Sequence, residues 1–255
     1  MAQSEFLKVA LEAVKKAEEV IMKYYSGKIK VKLKSDQTPL TLADTEAEKV
    51  IIETIKGRFP EHGFLGEESG NNKTRSEYHW LVDPIDGTKN YVRKIPVFGT
   101  QLALMKGNEV ILGVSNAPAL KELVYAERGS GSFLNGEPIH VSKVSDISKA
   151  MICYGGLKHF IKKGFSSNLL ELINTASRDR SFGDFYMYHL VASGRADAVV
   201  EAAIAIWDVA ALELIIEEAG GKMTDMRGNP VGKDISTVIA TNRLLHDAVL
   251  KYFSK

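Results

Sequence analysis

The sequence has one cysteine, almost no net charge and no uninterrupted apolar run of membrane-spanning length. Cys153 alone cannot form an internal disulfide. The 33 Lys and Arg residues balance 32 Asp and Glu residues to a net charge of +1, which gives no electrostatic reason to expect nucleic acid or an anionic membrane as a partner. Even the apolar residues 204–216 are interrupted by Asp208 and Glu213, short of the ~20 residues that a span needs. These absences favour small-molecule chemistry.

The first residues of the sequence carry no targeting signal that we recognise. Residues 1–5 lack the basic and apolar regions of a secretory signal, so we predict a soluble, cytoplasmic protein. A chain of 255 residues forms either one large domain or two tightly packed lobes, and a body of that size buries roughly 70–75% of its unfolded surface. The length therefore permits a substantial core.

Hydrophobic periodicity predicts a mixed α and β fold. Apolar residues at helical spacing predict an amphipathic helix over residues 6–24, and a second helix is expected to begin at Thr41 and to end before Gly57. Short strands are predicted near 64–65 and 80–82, and an acidic motif follows each of them. Side chains that follow the end of a strand are available for chemistry. We therefore expect the functional site to lie where these strands end.

The polar residues 141–149 mark a predicted boundary between two lobes. An N-terminal α+β lobe, residues 1–145, would contain an antiparallel sheet, predicted from an Asn135-Gly136 turn and from apolar runs at 97–105, 110–114 and 123–126. A C-terminal α/β lobe, residues 146–255, would alternate helices with strands. Its helices are predicted near 168–176, 185–193 and 209–219, and its strands near 197–201 and 222–226.

Three short acidic motifs carry the chemical signal: Glu67-Glu68, the run from Asp83 to Thr88, and Trp207-Asp208. Pro84 restricts Asp83 to an extended backbone, and the turn that follows can aim both aspartates of the run into one concave site. A helix beginning at Thr88 would present free N–H groups and its positive dipole end to a phosphate oxygen. Acids gathered in this way usually hold metal ions, so we predict that metal and phosphate share one site.

The chain resembles the inositol monophosphatase family at three motifs: Gly66-Glu67-Glu68-Ser69, residues 83–91 and residues 207–211. They occur in the family's order and at its spacing, and the resemblance extends from about Lys34 to Asn242. It implies a magnesium-dependent phosphomonoesterase that hydrolyses a small phosphorylated metabolite. It also implies a layered α-β-α-β-α sandwich, usually assembled as a homodimer.

The resemblance also implies the metal ligands, residue by residue. Glu67, Asp83 and the Ile85 carbonyl would hold a first Mg²⁺. Asp83, Asp86 and Asp208 would hold a second, and Glu67 with waters a weaker third, so two to three Mg²⁺ are expected. The donor chemistry agrees independently, because carboxylate and carbonyl oxygens without a nearby Cys or His pair suit magnesium better than zinc. Three such ions would also balance the charge of the four carboxylates and a phosphate dianion.

We predict direct hydrolysis of the phosphate ester by water, without a phosphoenzyme. Glu67 and Thr88 would hold and orient the attacking water, and the phosphate would lie against Gly87 and Thr88. The family has an aspartate in the context of Asp44 beside this water and the outer metal. The Thr41-x-x-Asp44 spacing also predicts a capping box, so Asp44 has both a catalytic and a structural interpretation.

Other residues near the motifs also have structural interpretations. Asp208 could cap the helix that follows it, and Asp184 could cap a helix beginning near Phe185. Glu68 is expected to support the site rather than to bind metal. Lys89 either approaches the phosphate or covers the helix start with its aliphatic stem.

The substrate prediction depends on residues close to the second and third motifs. The chain resembles the histidinol-phosphate phosphatase branch of the family, more than the inositol branch, at residues 87–93, 182–184 and 205–208. Histidinol phosphate carries an ammonium and an imidazole group, which Asp184 and Glu201 would attract from family positions that line the leaving-group pocket. Glu201 does not discriminate between the branches, because inositol phosphatases also have a glutamate there.

Other functions stay open at this point. Inositol 1-phosphate is the main alternative substrate. The nucleotide 3′-phosphoadenosine 5′-phosphate and fructose 1,6-bisphosphate would each need a second anion site, and the candidate for the nucleotide is the basic run Lys158, His159, Lys162 and Lys163. A catalytically inactive module that only binds metal or phosphate is the alternative from a different class, and the intact acidic motifs argue against it.

Overall fold

The computed structural model describes residues 3–27, 29, 31–33, 39–72 and 74–254. This described part contains the helices α1 (Glu5–Ser26), α2 (Leu42–Lys56), α3 (Thr88–Val92), α4 (Leu157–Lys163), α5 (Ser166–Thr175), α6 (Tyr186–Ala192), α7 (Ile206–Glu218) and α8 (His246–Phe253). Its strands are β1 (Val31–Leu33), β2 (Pro39–Thr41), β3 (Gly63–Gly66), β4 (Gly70–Asn72), β5 (Tyr78–Asp86), β6 (Gly99–Lys106), β7 (Glu109–Ala117), β8 (Glu122–Glu127), β9 (Ser132–Leu134), β10 (Glu137–Ile139), β11 (Met151–Tyr154), β12 (Arg178–Arg180), β13 (Ala198–Glu201), β14 (Lys222–Thr224) and β15 (Val238–Thr241).

The elements form five layers in the order α-β-α-β-α, which confirms the predicted fold. The first sheet has eight strands in the order β10-β9-β8-β7-β6-β5-β3-β4, and every pair is antiparallel except β3 with β5. The second sheet has five strands in the order β12-β11-β13-β15-β14. α1 and α2 cover the outer face of the first sheet, α6 and α7 lie between the sheets, and α4, α5 and α8 cover the outer face of the second.

Both N-terminal helices form as predicted, with side-chain caps. At the start of α1, Ser4 Oγ accepts a hydrogen bond from Leu7 N at 3.1 Å. At the start of α2, Thr41 N donates to Asp44 Oδ2 at 2.8 Å and Thr41 Oγ1 accepts from Ala43 N at 3.1 Å. These bonds satisfy N–H groups that the first turn of a helix leaves without partners. The predicted capping box is therefore present, and it fixes the orientation of Asp44.

α7 is apolar on nearly all sides because it is buried between the two sheets. Gly113 of β7 permits a close approach, since a Cβ atom at this position would lie 2.4 Å from the Ala211 carbonyl oxygen. The strand therefore contacts the backbone of the helix directly. This packing brings the N-terminal turn of α7, with Asp208, to the acids at the end of β5.

The structure corrects the interpretation of Asp208 and Asp184 as helix N-caps, and it reduces the helix dipole expected at Thr88. Asp208 is the third residue of α7 and not its N-cap. Phe185 is the N-cap of α6, so Asp184 does not cap that helix. α3 begins at Thr88 as predicted but has only five residues, so it contributes little of the helix dipole that the sequence suggested for phosphate binding.

Some elements are absent from the sequence-based prediction, namely α4, α8, β1, β2, β4, β11, β12 and β15. The division at residue 145 stays a prediction. The two sheets lie on either side of it, but α7 from the C-terminal part packs on the first sheet. Within the described ranges, none of the helices is long and apolar enough to cross a membrane.

Candidate active site

The two aspartates of the second motif lie at the end of β5, which runs between β3 and β6. Asp83 is buried, and its Oδ1 accepts a hydrogen bond from Ile85 N at 3.0 Å. Asp86 Oδ2 accepts from Phe185 N at 2.8 Å. The pairing of β5 with β6 shifts register between the two aspartates, and such an irregularity changes the direction in which side chains point. A backbone N–H thus orients each carboxylate.

The first acidic motif reaches the same edge of the first sheet. β3 runs parallel to β5, so both strands end at that edge. Glu67 N donates to Val82 O at 3.0 Å, which holds the motif beside the end of β5. Burial raises the pKa of Asp83, the charge of Glu67 raises it further, and a side-chain hydrogen bond with Glu67 adds to the rise. The two motifs therefore meet, as the sequence predicts.

The third motif arrives from α7. Asp208 Oδ2 accepts a hydrogen bond from Ala205 N at 2.7 Å, so the carboxylate at the third helical position turns back to the residue before the helix. Asp208 therefore accepts from the N–H of the N-cap residue and is not itself the N-cap, because α7 begins at Ile206, before the start that the sequence suggested.

The pKa shifts of the two β5 aspartates show that the acids from all three motifs converge. The pKa values of Asp83 and Asp86 are both raised well above the usual range. Burial is the largest cause for each. The further causes are charges of neighbouring acids, which are Glu67, Asp86 and Asp208 for Asp83, and Asp184, Asp208 and Glu201 for Asp86.

The residues at this site fit a hard divalent cation. Several carboxylates gathered together, with Asp83 buried and Glu67, Asp86 and Asp208 half-buried, carry an unfavourable charge that a cation would compensate. Their donors are all oxygen atoms, the ligands that magnesium prefers. In the described residues, however, no three His, Cys, Asp or Glu side chains already stand as a complete coordination group. The assignment of individual ligands therefore stays a prediction.

Thr88 and Asp44 lie beside this acidic group. The Thr88 hydroxyl donates to the Ile85 carbonyl oxygen at 2.9 Å and lies 3.3 Å from Asp44 Oδ1. Gly87, just before Thr88, has a φ of 84°, and a Cβ atom there would lie 2.9 Å from the Val97 carbonyl oxygen. Glycine at this position therefore permits both the backbone turn and the close approach. Asp44 serves as a helix cap with one oxygen and faces the site with the other.

Glu48 is a residue near the site that our sequence reasoning missed. It is buried on α2 and accepts hydrogen bonds from Ser69 N and from Ser69 Oγ, the latter at 2.8 Å. Burial is the largest cause of its raised pKa; the Ser69 bonds oppose the rise and the charge of Glu67 adds to it. Gly66 leaves room for it, since a Cβ at that position would lie 1.5 Å from Glu48 Oε1. Glu48 thus anchors the turn that carries Glu67 and Glu68.

Replacing Glu48 by glutamine is expected to lower phosphatase kcat/KM by roughly 10- to 100-fold, the usual effect of removing a group that orients metal ligands. The amide keeps the size of the side chain but has one acceptor oxygen instead of two. Mg²⁺ titrations of activity should show a higher half-saturating concentration. Glu46→Gln, at an exposed position of the same helix, is the matched control. Wild-type kinetics for Glu48→Gln would show that Ser69 does not need this anchor.

Asp184 extends the acidic surface of the site. Its φ is 53°, and its Oδ2 accepts a hydrogen bond from Asn90 Nδ2 at 2.8 Å. Burial raises the pKa of Asp184 to about 6, and the nearby Lys89 opposes that rise. The left-handed backbone conformation is uncommon for a residue with a side chain, and such conformations cluster at functional sites. The sequence could not reveal the contact with Asn90, because the two residues are far apart in the chain.

Glu201 lies at the end of β13, on the second sheet. Its Oε2 accepts a hydrogen bond from the buried Tyr188 hydroxyl at 2.8 Å. Burial raises the pKa of Glu201 to about 8, against the effect of the Tyr188 bond. A Cβ atom at Gly155 would lie 2.6 Å from Glu201 Oε1, so this glycine provides the space for the carboxylate. Tyr188 is a second neighbour of the site that we did not predict.

Comparison with known proteins agrees with this geometry. The sequence profile of the inositol monophosphatase family matches residues 2–255. The chain belongs to that family. It is 37% identical to a histidinol-phosphatase of Mycobacterium tuberculosis, over 96% of each chain. It is 33% identical to an inositol-1-monophosphatase of Mesorhizobium japonicum, over 100% of this chain and 98% of the relative.

The fold comparison agrees as well. The crystal structure of the extragenic suppressor protein suhB from Bartonella henselae superposes on this chain with a TM-score of 0.91, at 33% identity and with 99% of each chain covered. The family member described here is therefore a phosphomonoesterase with the family's layered α and β fold. Its substrate is a phosphorylated small metabolite.

Proposed function

We propose that this phosphomonoesterase is Mg²⁺-dependent and that histidinol phosphate is its preferred substrate. The observation that carries the substrate choice is a pair of half-buried acids, Asp184 and Glu201, whose charges both act on Asp86. Histidinol offers an ammonium group and an imidazole to such acids, and charge-assisted hydrogen bonds of this kind are roughly twice as strong as neutral ones. Inositol offers only hydroxyl groups. The identity to the histidinol-phosphatase of M. tuberculosis supports the same choice.

The cation would be held by Glu67, Asp83, Asp86, Asp208 and the Ile85 carbonyl. When bound there, Mg²⁺ supplies positive charge that screens the phosphate and lowers the pKa of a coordinated water. Oxygen donors from three separate segments support this choice of ion. The number of ions per site, two to three, follows from the family resemblance.

The remaining residues would position the reactants. The Thr88 hydroxyl lies between the Ile85 carbonyl oxygen and Asp44, so it can orient a water for attack on phosphorus while Glu67 accepts the proton. The first N–H groups of α3, after Gly87, have no acceptor inside the helix and would donate to phosphate oxygens. The leaving alcohol would lie against Asp184 and Glu201. A homodimer stays a prediction, which analytical ultracentrifugation would measure.

Inositol 1-phosphate is the second candidate. It is supported by the relative from M. japonicum and by Glu201, which would also accept hydrogen bonds from hydroxyl groups. The basic run considered for a nucleotide has less support. Its lysines Lys158, Lys162 and Lys163 are exposed on α4, which favours a solvated face.

A substrate panel tests the proposal directly. With saturating Mg²⁺, we expect kcat/KM for histidinol phosphate to exceed that for inositol 1-phosphate, 3′-phosphoadenosine 5′-phosphate and p-nitrophenyl phosphate. Asp184→Asn should raise KM for histidinol phosphate by roughly 10- to 100-fold, the equivalent of one charge-assisted hydrogen bond. The variant should leave inositol 1-phosphate kinetics close to wild type, because asparagine can still contact Asn90.

Two outcomes would contradict the substrate choice. One is turnover of histidinol phosphate no faster than that of p-nitrophenyl phosphate. The other is an equal loss for every substrate in Asp184→Asn, which would indicate that Asp184 supports Asp86 rather than the leaving group. Phosphate release that does not depend on Mg²⁺ would overturn the choice of cofactor.

A further inference from the structure

A cavity of about 680 Å³ lies between the first sheet, α7 and residues 230–233. Its apolar wall consists of Leu65, Leu81, Met105, Val110, Ile206 and Val231. The volume is within the range of small-molecule sites, which are mostly apolar with a few polar groups. None of the acids Glu67, Asp83, Asp86 and Asp208 lines this cavity, so it is separate from the active site.

The two cations that line the cavity, Arg128 and Lys233, differ in their partners and exposure. Arg128 donates to the Val110 carbonyl oxygen at 2.8 Å and pairs with Glu217 at 3.0 Å and Glu109 at 3.1 Å. Its guanidinium is therefore occupied by the protein itself. Lys233 is exposed at the side of the cavity formed by residues 230–233. No cation of the lining is thus both buried and available for an anionic ligand.

Glu213 is the exception among the acids. It projects from α7 into the cavity, and among the described residues it has no hydrogen bond and no ion pair. Burial raises the pKa of Glu213 to about 8, the charge of Glu217 raises it further, and Arg128 opposes the rise. Glu213 is half-buried, and withdrawing a carboxyl group from water without a partner costs free energy unless something else satisfies it.

We propose that this cavity is a second ligand site, which binds a small organic amine with an apolar body and uses Glu213 as the counter-charge. The ammonium group would pair with the Glu213 carboxylate, and the apolar body would contact the wall formed by Leu65, Leu81 and Ile206. The other two lining carboxylates, Glu109 and Glu217, already pair with Arg128, so Glu213 alone does not provide the several oxygen ligands that a metal ion needs. An anion would meet Glu213 without a free buried cation to offset it.

Benzylamine and benzyl alcohol provide a matched pair of probes, because they share the ring and differ in charge. Binding is measured at pH 8.5 by methyl NMR, with the shifts of Leu65, Leu81 and Ile206 as the report of location. We expect benzylamine to bind wild-type protein roughly 10-fold more tightly than benzyl alcohol, and Glu213→Gln to remove that difference. Glu19→Gln, at an exposed position of α1, should leave both affinities unchanged.

A second variant keeps the test independent of how Glu213→Gln folds. Val231→Phe places a ring at the edge of the cavity and should weaken binding of both probes. Equal binding of benzylamine to wild type and Glu213→Gln would overturn the proposal. So would equal affinity for the two probes in wild type, or benzylamine shifts confined to residues near Asp184, which would mean that the amine occupies the acidic active site instead.

Discussion

Replacing Asp208 by asparagine is expected to lower kcat/KM by at least about 10³-fold while the protein stays folded. Losing one carboxylate from the acidic group weakens the hold on a divalent cation, whose charge is worth several kcal/mol in the transition state, at about 1.4 kcal/mol per factor of ten. Folding should survive because asparagine retains an oxygen that accepts from Ala205 N. Asp83→Asn should behave in the same way, since an amide oxygen can still accept from Ile85 N.

The measurement is phosphate release at saturating Mg²⁺, together with thermal unfolding of each variant. Removing one of several mutually repelling acids should keep or raise the Tm of the protein without metal. Asp247→Asn is the control, because Asp247 is 88% exposed on α8. If Asp208→Asn had the wild-type Tm and also the wild-type kcat/KM at saturating Mg²⁺, Asp208 would not be a metal ligand.

The second large effect is expected from Gly113→Ala. The added Cβ would lie 2.4 Å from the Ala211 carbonyl oxygen, and a helix backbone cannot move aside as a flexible side chain can. Overpacking of a core usually costs about 1–3 kcal/mol of unfolding free energy. The strain also displaces α7, which carries Asp208, and a shift of about 1 Å at a catalytic group can cost 100-fold in rate. We therefore expect losses of both stability and activity.

Urea unfolding and kcat/KM measure the two effects separately. Gly232→Ala is the matched control, because a Cβ at position 232 would meet nothing within 4 Å. Its unfolding free energy should stay within about 0.5 kcal/mol of wild type. If Gly113→Ala were as stable and as active as Gly232→Ala, the contact between β7 and α7 would have more room than the structure indicates.

The sequence was sufficient to predict that the acids of the three motifs lie together, because each motif adjoins an element with a clear local signal. Asp83 and Asp86 lie at the end of an apolar strand, on either side of Pro84 and Ile85, and the structure brings them together with Glu67 and Asp208. The sequence did not define the position of Asp208 within its helix. A carboxylate at the cap and one at the third helical position both satisfy backbone N–H groups, so the pattern alone allows either.

Residues that support the site were missed for a different physical reason. Glu48 and Tyr188 act through hydrogen bonds to Ser69 and Glu201, and nothing in the local sequence indicates such pairings between separate elements. The same limit explains why β15 was missed. It is a strand of four residues whose place is defined by its neighbours β13 and β14, not by its own pattern.

The position of α7 between the sheets has a consequence for how the protein is made. During synthesis from the N-terminus, the first sheet is complete long before α7 emerges, so Leu81, Ala103 and Val124 lack the helix that covers them in the finished fold. A nascent chain truncated at residue 145 would expose an apolar, aggregation-prone sheet surface to solvent and would also lack Asp208. Catalytic competence and protection from aggregation are therefore acquired together, late in translation, when one helix inserts.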